Sequence, residues 1–178
     1  MNKEKFKTII THESIKNQID KNIRNGFQAV HEYIWNSIDA SATEIEVNFK
    51  LTNDLTKDLF SKAEIKDNGK GINFNKFKDK KFLIFNDSEK EKNPHKSLPH
   101  GHRGYGRFSF IKICNNIEWK STYLNKSNEF KSYKILMNSK NLLNIKTDRL
   151  NNNIISNTYT TVSFFNPIYF TIFWPGKR

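Results

Sequence analysis

The sequence predicts an α+β fold: a two-layer α/β sandwich with helices on one face of a mixed, mostly antiparallel sheet. Three observations point there. Helical spacing is concentrated in the first forty residues. Most of the later chain breaks into strand-like runs, with one helical interlude. Aromatic residues reach 13%, with 15 Phe, enough for a packed core in a chain that is 27% charged. A length of 178 residues suits one domain enclosing one sizeable core.

Thr11 to Ala40 reads as helical with a break near Gly26. In its second half Phe27, Val30, Ile34 and Ile38 are spaced for one apolar face. Thr43 to Leu51 alternates, with Ile45, Val47, Phe49 and Leu51 on one side and Glu44, Glu46, Asn48 and Lys50 on the other, as in a half-buried strand. Ala63 to Asp67 is a second short strand, running into a turn at Asn68-Gly69. From Asn73 to Pro99 the chain becomes charged and contains Pro94 and Pro99; it predicts a short helix around Phe74 to Phe85 and then a loop. Gly101, Gly104 and Gly106 lead into the apolar run Phe108 to Ile113. Further strands are predicted over Ile117 to Leu124, Phe130 to Met137 and Thr158 to Phe165, with a turn at Asn151 to Asn153.

The formal net charge of +12 favours a partner carrying phosphates, either a nucleotide or nucleic acid. An abundance of Lys, Asn, Ile and Phe in the coding composition would raise the charge equally well. A single cysteine, Cys114, excludes a disulfide framework and a cysteine-rich zinc site. The longest apolar tract, Ile168 to Trp174, is too short to span a bilayer, and the residues after Met1 are charged. A cytoplasmic protein with no membrane partner is the expectation.

Three segments carry candidate chemistry. In HEYIWNSIDA, residues 31–40, Glu32 and Asn36 are four apart and Asp39 follows three later, so the three share one helical stripe. Such a stripe can be an ordinary solvated face. Flanked by Ile34, Trp35 and Ile38, it can instead orient a water and hold a magnesium ion. In IKDNGKGI, residues 65–72, a strand ends at Asp67, and Gly69 and Gly71 follow. The carboxylate can accept a hydrogen bond from an exocyclic amine, and the glycines let a flat ring or phosphates approach the backbone. A plain Asn-Gly hairpin turn is the competing reading. In GHRGYGRFSF, residues 101–110, three glycines stand just before an apolar run and can offer backbone N–H groups to phosphates. No Walker loop occurs, and the glycine spacing does not fit a Rossmann motif.

Taken together, in this order and separation, the three segments resemble those of the GHKL ATPases, the superfamily of gyrase B, the heat-shock chaperone, histidine kinases and MutL. The resemblance covers Phe27 to Phe110 and is closest in wording to the MutL and MORC branch at EYIWNSIDASATEIEV. It implies the Bergerat ATP-binding fold, ATP and Mg2+ as ligands, and ATP hydrolysis. Glu32 matches the general base, Asn36 the magnesium ligand and Asp39 a supporting acid. Asp67 matches the acceptor of the adenine amine. Gly69 and Gly71 match the first glycine box, and Gly101, Gly104 and Gly106 the second. Thr160, in YTTV, matches a late threonine that helps hold adenine, although Tyr159 stands where glycine is usual. Residues 73–100 would form the lid within a nucleotide-site core of about 27–165. The whole of 1–178 would then be one ATPase domain, the N-terminal part of a longer protein.

Arg103 and Arg107 are further phosphate candidates, because the guanidinium fork matches phosphate oxygens; pairing with acids such as Glu89 is the alternative. Lys96 could reach a phosphate from the lid, although a solvated surface lysine is the simpler reading. His95, His100 and His102 lie close together, but without cysteine or paired carboxylates beside them a lid role outweighs a metal site. His12-Glu13 and His31-Glu32 lack the context of a histidine-kinase phospho-acceptor. Tyr33 and Trp35 are bulky for this helix and are expected to pack against a helix or the lid base. The resemblance further implies lid closure, formation of a homodimer on ATP binding, and a DNA-linked or defence-type role with DNA as a partner. The alternatives are a basic nucleic-acid- or protein-binding module without hydrolysis, and a chaperone-like ATPase.

Overall fold

A computed structural model describes residues 10–51, 60–73, 104, 106–150 and 156–168. The break expected near Gly26 consists of two helix caps. Helix α1, His12–Asn22, starts at Thr11, whose hydroxyl accepts from the Ser14 N–H at 3.1 Å, and it ends at Ile23. Helix α2, Gly26–Asp39, starts at Asn25, whose side chain accepts from the Gln28 N–H at 2.9 Å. Each cap satisfies an N–H group that the first turn would otherwise leave without a partner.

The buried face of α2 follows its hydrophobic spacing only in part: Val30 is buried and Ile34 packs against the core, as expected. Gly26, Ala29, Val30, Tyr33 and Ser37 are buried, whereas Phe27 and Ile38 are 42% and 43% exposed. The reason is close approach. This face meets a 3₁₀ helix, Gly106–Lys112, so tightly that the Ser109 hydroxyl donates to the Ala29 carbonyl at 3.3 Å. Small residues permit that contact; a stripe of Phe and Ile would hold the two segments apart.

Six strands form one sheet: β1 Ile45–Leu51, β2 Phe60–Asp67, β3 Cys114–Leu124, β4 Phe130–Asn138, β5 Asn141–Leu150 and β6 Tyr159–Pro167. Their order is β1-β2-β6-β3-β4-β5, and every pairing among the described strands is antiparallel. This is the limiting case of the mostly antiparallel sheet expected. Strand β6 comes last in the chain yet lies between β2 and β3, bonded on both sides. Strand β5 was not anticipated. Its sequence is polar, and it forms by pairing along β4 rather than by burying an apolar face of its own; Leu142 is its only buried side chain among those described.

The alternation in β1 predicts a half-buried strand. However, β1 is an edge strand, and Val47 and Phe49 remain 36% and 40% exposed. The expected helix at Phe74 to Phe85, the lid, and the turn at Asn151 to Asn153 lie outside the described residues.

The registers set up the site. Across the sheet, Ile65, Val162, Trp119 and Ile135 line up as one apolar row on the side facing the helices. Two residues along lies a row of different character: Asp67 opposite Thr160, Thr160 opposite Ser121, and Ser121 opposite Tyr133. All four are buried. The core therefore ends at a band of polar side chains contributed by four strands.

Beyond β2 the chain does not close a hairpin at Asn68-Gly69, since β2 pairs with β1 and β6. Asn68 instead accepts from the Thr43 and Glu44 N–H groups at 2.9 and 3.0 Å, and Lys70 N–H donates to the Ala40 carbonyl at 3.0 Å. These bonds tie the turn to the end of α2. The chain then crosses the polar row at Gly71, where φ is +71° and a Cβ would collide with the Thr122 carbonyl. Ile72 is held by side chains at both of its backbone groups: its N–H donates to Ser121 Oγ at 2.8 Å, and its carbonyl accepts from Tyr133 Oη at 2.8 Å. Gly71→Ala is expected to destabilise the fold, by about 1–2 kcal/mol for the left-handed backbone and about 1–3 kcal/mol for the clash. A urea titration with an unchanged midpoint would refute this account of the crossing.

Candidate functional site

Asp67 is the best-defined side chain of the site. It ends β2, is 5% exposed, and accepts three hydrogen bonds. Ser37 Oγ donates to Oδ2 at 2.9 Å, Gly69 N–H donates to Oδ1 at 2.9 Å, and the Thr160 N–H also points at the carboxylate. Burial pushes its carboxyl above the usual carboxylate range, and the three donors pull it partly back. An ionised carboxylate has about four lone-pair sites. Three are taken, so the remaining capacity suits one additional donor.

Ser37 is a site residue that the sequence reading passed over. The available signal was its spacing: Tyr33 and Ser37 are four apart, on the stripe next to Glu32 and Asn36. Ser121 was missed as well. Its hydroxyl lies 3.0 Å from Thr160 Oγ1 while it accepts from Ile72 N–H. No local feature of β3 distinguishes it, because its neighbours come from β6 and from the chain after Gly71. Thr160 itself stands beside Asp67, and the bulk of Tyr159 does not prevent this. Tyr159 faces the other side of the sheet, and its carbonyl accepts from Ser121 Oγ at 3.3 Å.

Glu32 lies on α2 five residues before Ser37, about 7–8 Å along the axis at ~1.5 Å per residue. It is half-buried against the second glycine segment: a Cβ on Gly106 would sit 2.6 Å from Glu32 Oε2. A side chain at 106 would therefore have to displace the flexible end of Glu32. Gly104, just before it, has φ +66°. Asn36 is exposed on α2, one turn from Glu32. Asp39 ends the helix, half-buried, and its carbonyl accepts from Lys70 Nζ at 3.4 Å.

The 3₁₀ helix that carries Gly106 is bound to α2 by side chains. Tyr33 Oη donates to the Arg107 carbonyl at 3.0 Å and accepts from the Phe110 N–H at 3.1 Å. Runs of 3₁₀ beyond ~3–4 residues are uncommon, and this one has seven. Arg107 is described, whereas Glu89, named above as an alternative partner for it, lies outside the described residues. Arg107 is half-buried, its guanidinium lies 4.7 Å from the Phe108 ring centroid, and burial lowers its pKa to about 10, leaving it charged at neutral pH.

Gly101, Arg103, His95, Lys96, His100 and His102 lie outside the described residues. Among the described residues no cluster of three or more His, Cys, Asp or Glu could hold a metal, and no helix is long and apolar enough to cross a membrane. Cys114 is buried and its thiol is pushed up to about 12, so it is no nucleophile at neutral pH. A cavity of about 550 Å³ opens beside Asp67 between the ends of β1, β2 and β6, with Glu44, Glu46, Lys66 and Tyr159 in its wall. Glu32, Asn36 and the glycine segment do not line it, so it is distinct from the arrangement along α2.

Residues 24–161 match the family model described as histidine kinase-, DNA gyrase B-, and HSP90-like ATPase. No curated protein shows significant similarity to the chain.

Proposed function

Because the chain belongs to the histidine kinase-, DNA gyrase B- and HSP90-like ATPases, with the ATP binding that membership carries, we propose that it is a magnesium-dependent ATPase whose site is organised by α2. One observation carries this reading: the same helix contacts Asp67 through Ser37 and Gly106 through Glu32. An acid suited to a base and a turn suited to phosphates are thereby held about one and a half helical turns apart.

In this reading the one open acceptor position of Asp67 takes the exocyclic amine of adenine, with Thr160 beside it and the backbone of Gly69 and Gly71 along the ring. The N–H groups around Gly104 and Gly106 cradle the outer phosphates, joined by Gly101 and by Arg103 or Arg107. The missing Cβ at Gly106 leaves room for that approach. Magnesium, when bound, offsets phosphate charge, and Asn36 is the candidate ligand; one protein ligand suits a cation that keeps several waters and phosphate oxygens. Glu32 accepts the proton of the attacking water, and Asp39 supports the end of the helix.

Residues 1–178 form one ATPase domain with its core over about 27–165, a range supported by the extent of the family match. Residues 73–100 close over bound ATP as a lid, and closure promotes dimerisation. A DNA-linked role is supported by the net charge of +12. On the outer sheet face part of this charge is offset by acids: Lys62 pairs with Glu64 at 2.7 Å, Lys120 with Glu118 at 3.4 Å and Lys134 with Asp148 at 3.3 Å.

Thermal stabilisation by ATP with Mg2+ tests the reading. A ligand at 100 times its Kd adds about 2.7 kcal/mol to the native state. For a domain of this size each kcal/mol raises Tm by about 2–4 °C. A rise of about 5–10 °C is expected with ATP-Mg and with a non-hydrolysable analogue. No rise at millimolar nucleotide would sink it.

A further inference from the structure

We infer that Tyr33 is a positioning residue for hydrolysis: its hydroxyl locks the 3₁₀ helix behind the glycine segment onto α2, fixing the phosphate cradle relative to Glu32. The inference rests on the ATPase reading above. Tyr33 follows Glu32 directly in sequence but points the other way, into the core, where it is 2% exposed. Its ring packs edge-on against Phe164 at 5.1 Å and tilted against Trp119 at 6.3 Å, which fixes the position of the hydroxyl. That hydroxyl uses both its donor and an acceptor on one turn of the 3₁₀ helix, at the Arg107 carbonyl and the Phe110 N–H. Burial pushes the phenol well above its ordinary range, so it stays protonated and able to donate at any working pH. Ser109 adds a second tether, donating to the Ala29 carbonyl at 3.3 Å, one helical turn before Tyr33. The two tethers anchor the 3₁₀ helix to the part of α2 that presents Glu32, and Gly106 is the first residue of that helix.

A carboxylate and a phosphate cradle must be aligned for in-line attack, and a displacement of ~1 Å can cost about 100-fold in rate. Binding tolerates such a shift better, because in that reading the grip on the base comes from Asp67, which meets the helix at Ser37, one turn beyond Tyr33. Tyr33→Phe keeps the ring packing and removes the latch. It is expected to lower kcat by about 10- to 100-fold while the Kd for ATP-Mg stays within about threefold and the circular dichroism is unchanged. Ser132→Ala is the control: it deletes a buried hydroxyl bonded to Thr122 Oγ1, remote from this contact, and should lower Tm without changing kcat. If Tyr33→Phe does not fold, Ser109→Ala carries the test, with a loss of kcat again expected at constant Kd. A Tyr33→Phe enzyme within twofold of the parent kcat, or an equal loss of kcat in Ser132→Ala, overturns the inference alone. A parent that binds ATP-Mg but shows no single-turnover hydrolysis overturns the ATPase reading and this inference with it.

Discussion

Glu32→Gln is expected to bind ATP-Mg as tightly as the parent chain and to lose about 10²- to 10⁴-fold in turnover, the range that a positioned general base supplies. Glutamine has the same shape as glutamate, so the contact with Gly106 survives, as does the approach of the glycine segment to α2. What disappears is the ability to take a proton. The separation of effects is the informative part: in the proposed site the base is bound at Asp67, which meets α2 at Ser37, five residues from position 32, so affinity should not follow the rate. Equilibrium binding beside a phosphate-release assay measures both. Turnover at the parent rate in Glu32→Gln would mean that another group accepts the proton.

Asp67→Asn has the second large expected effect, and it falls on binding. Three donors converge on this carboxylate, from Ser37, Gly69 and Thr160. An amide in its place turns two acceptor positions into donor positions, so Ser37 would have to turn its hydroxyl to the Tyr33 carbonyl and accept instead of donate. The amide also loses the charge that strengthens a bond from the adenine amine. Hydrogen bonds to a charged partner contribute about 1.5–3 kcal/mol, so the Kd for ATP should rise by about 10- to 100-fold, at about 1.4 kcal/mol per factor of ten. Titration calorimetry checks it, and an unchanged Kd would remove Asp67 from the base pocket.

The acid dependence follows from the direction of the Asp67 shift. Its native carboxyl is raised, so the native state holds the proton more tightly than the unfolded chain does. The contribution of this group to stability is present below the ordinary carboxylate range and is lost as pH rises through the raised native value. ATP affinity runs the opposite way, since only the ionised form can fill its last acceptor position with an amine. Affinity should therefore fall as pH drops through the raised value, and Asp67→Asn should flatten that profile.

Much of the site was legible in local sequence because its parts are local. Glu32 and Asn36 are spaced by helical geometry, and Asp67 is marked by a strand giving way to Asn68-Gly69. Thr160 in YTTV is marked only by the resemblance, with Tyr159 where glycine is usual. Sequence gives Ser37 and Ser121 no role and Tyr33 only a packing one, because each bonds to a partner 30 to 77 residues away. Part of the face of α2 was misread for a related reason. Spacing ranks Phe27 and Ile38 as core beside Val30 and Ile34, but contact with the 3₁₀ helix buries Ala29, and Ser37 is buried against Asp67. Alternation in β1 was read correctly as a strand, yet alternation is the same whether a helix covers that face or leaves Val47 and Phe49 exposed.

The sequence by itself determined the elements and the chemical groups: the capped helices, most of the strands, the ordered acidic and glycine segments, and the ATPase family they resemble. These follow from periodicity, capping and turn chemistry, which act over a few residues. Only the tertiary structure decided which groups meet. Strand β6 must travel from the end of the chain to the centre of the sheet before Thr160 stands between Asp67 and Ser121, and its register fixes that alignment. A slip of one residue would turn these polar side chains to the opposite face. The register is held by the apolar row of Ile65, Val162, Trp119 and Ile135, whose burial favours one pairing over its neighbours, and that preference exists only once the strands and helices have packed together.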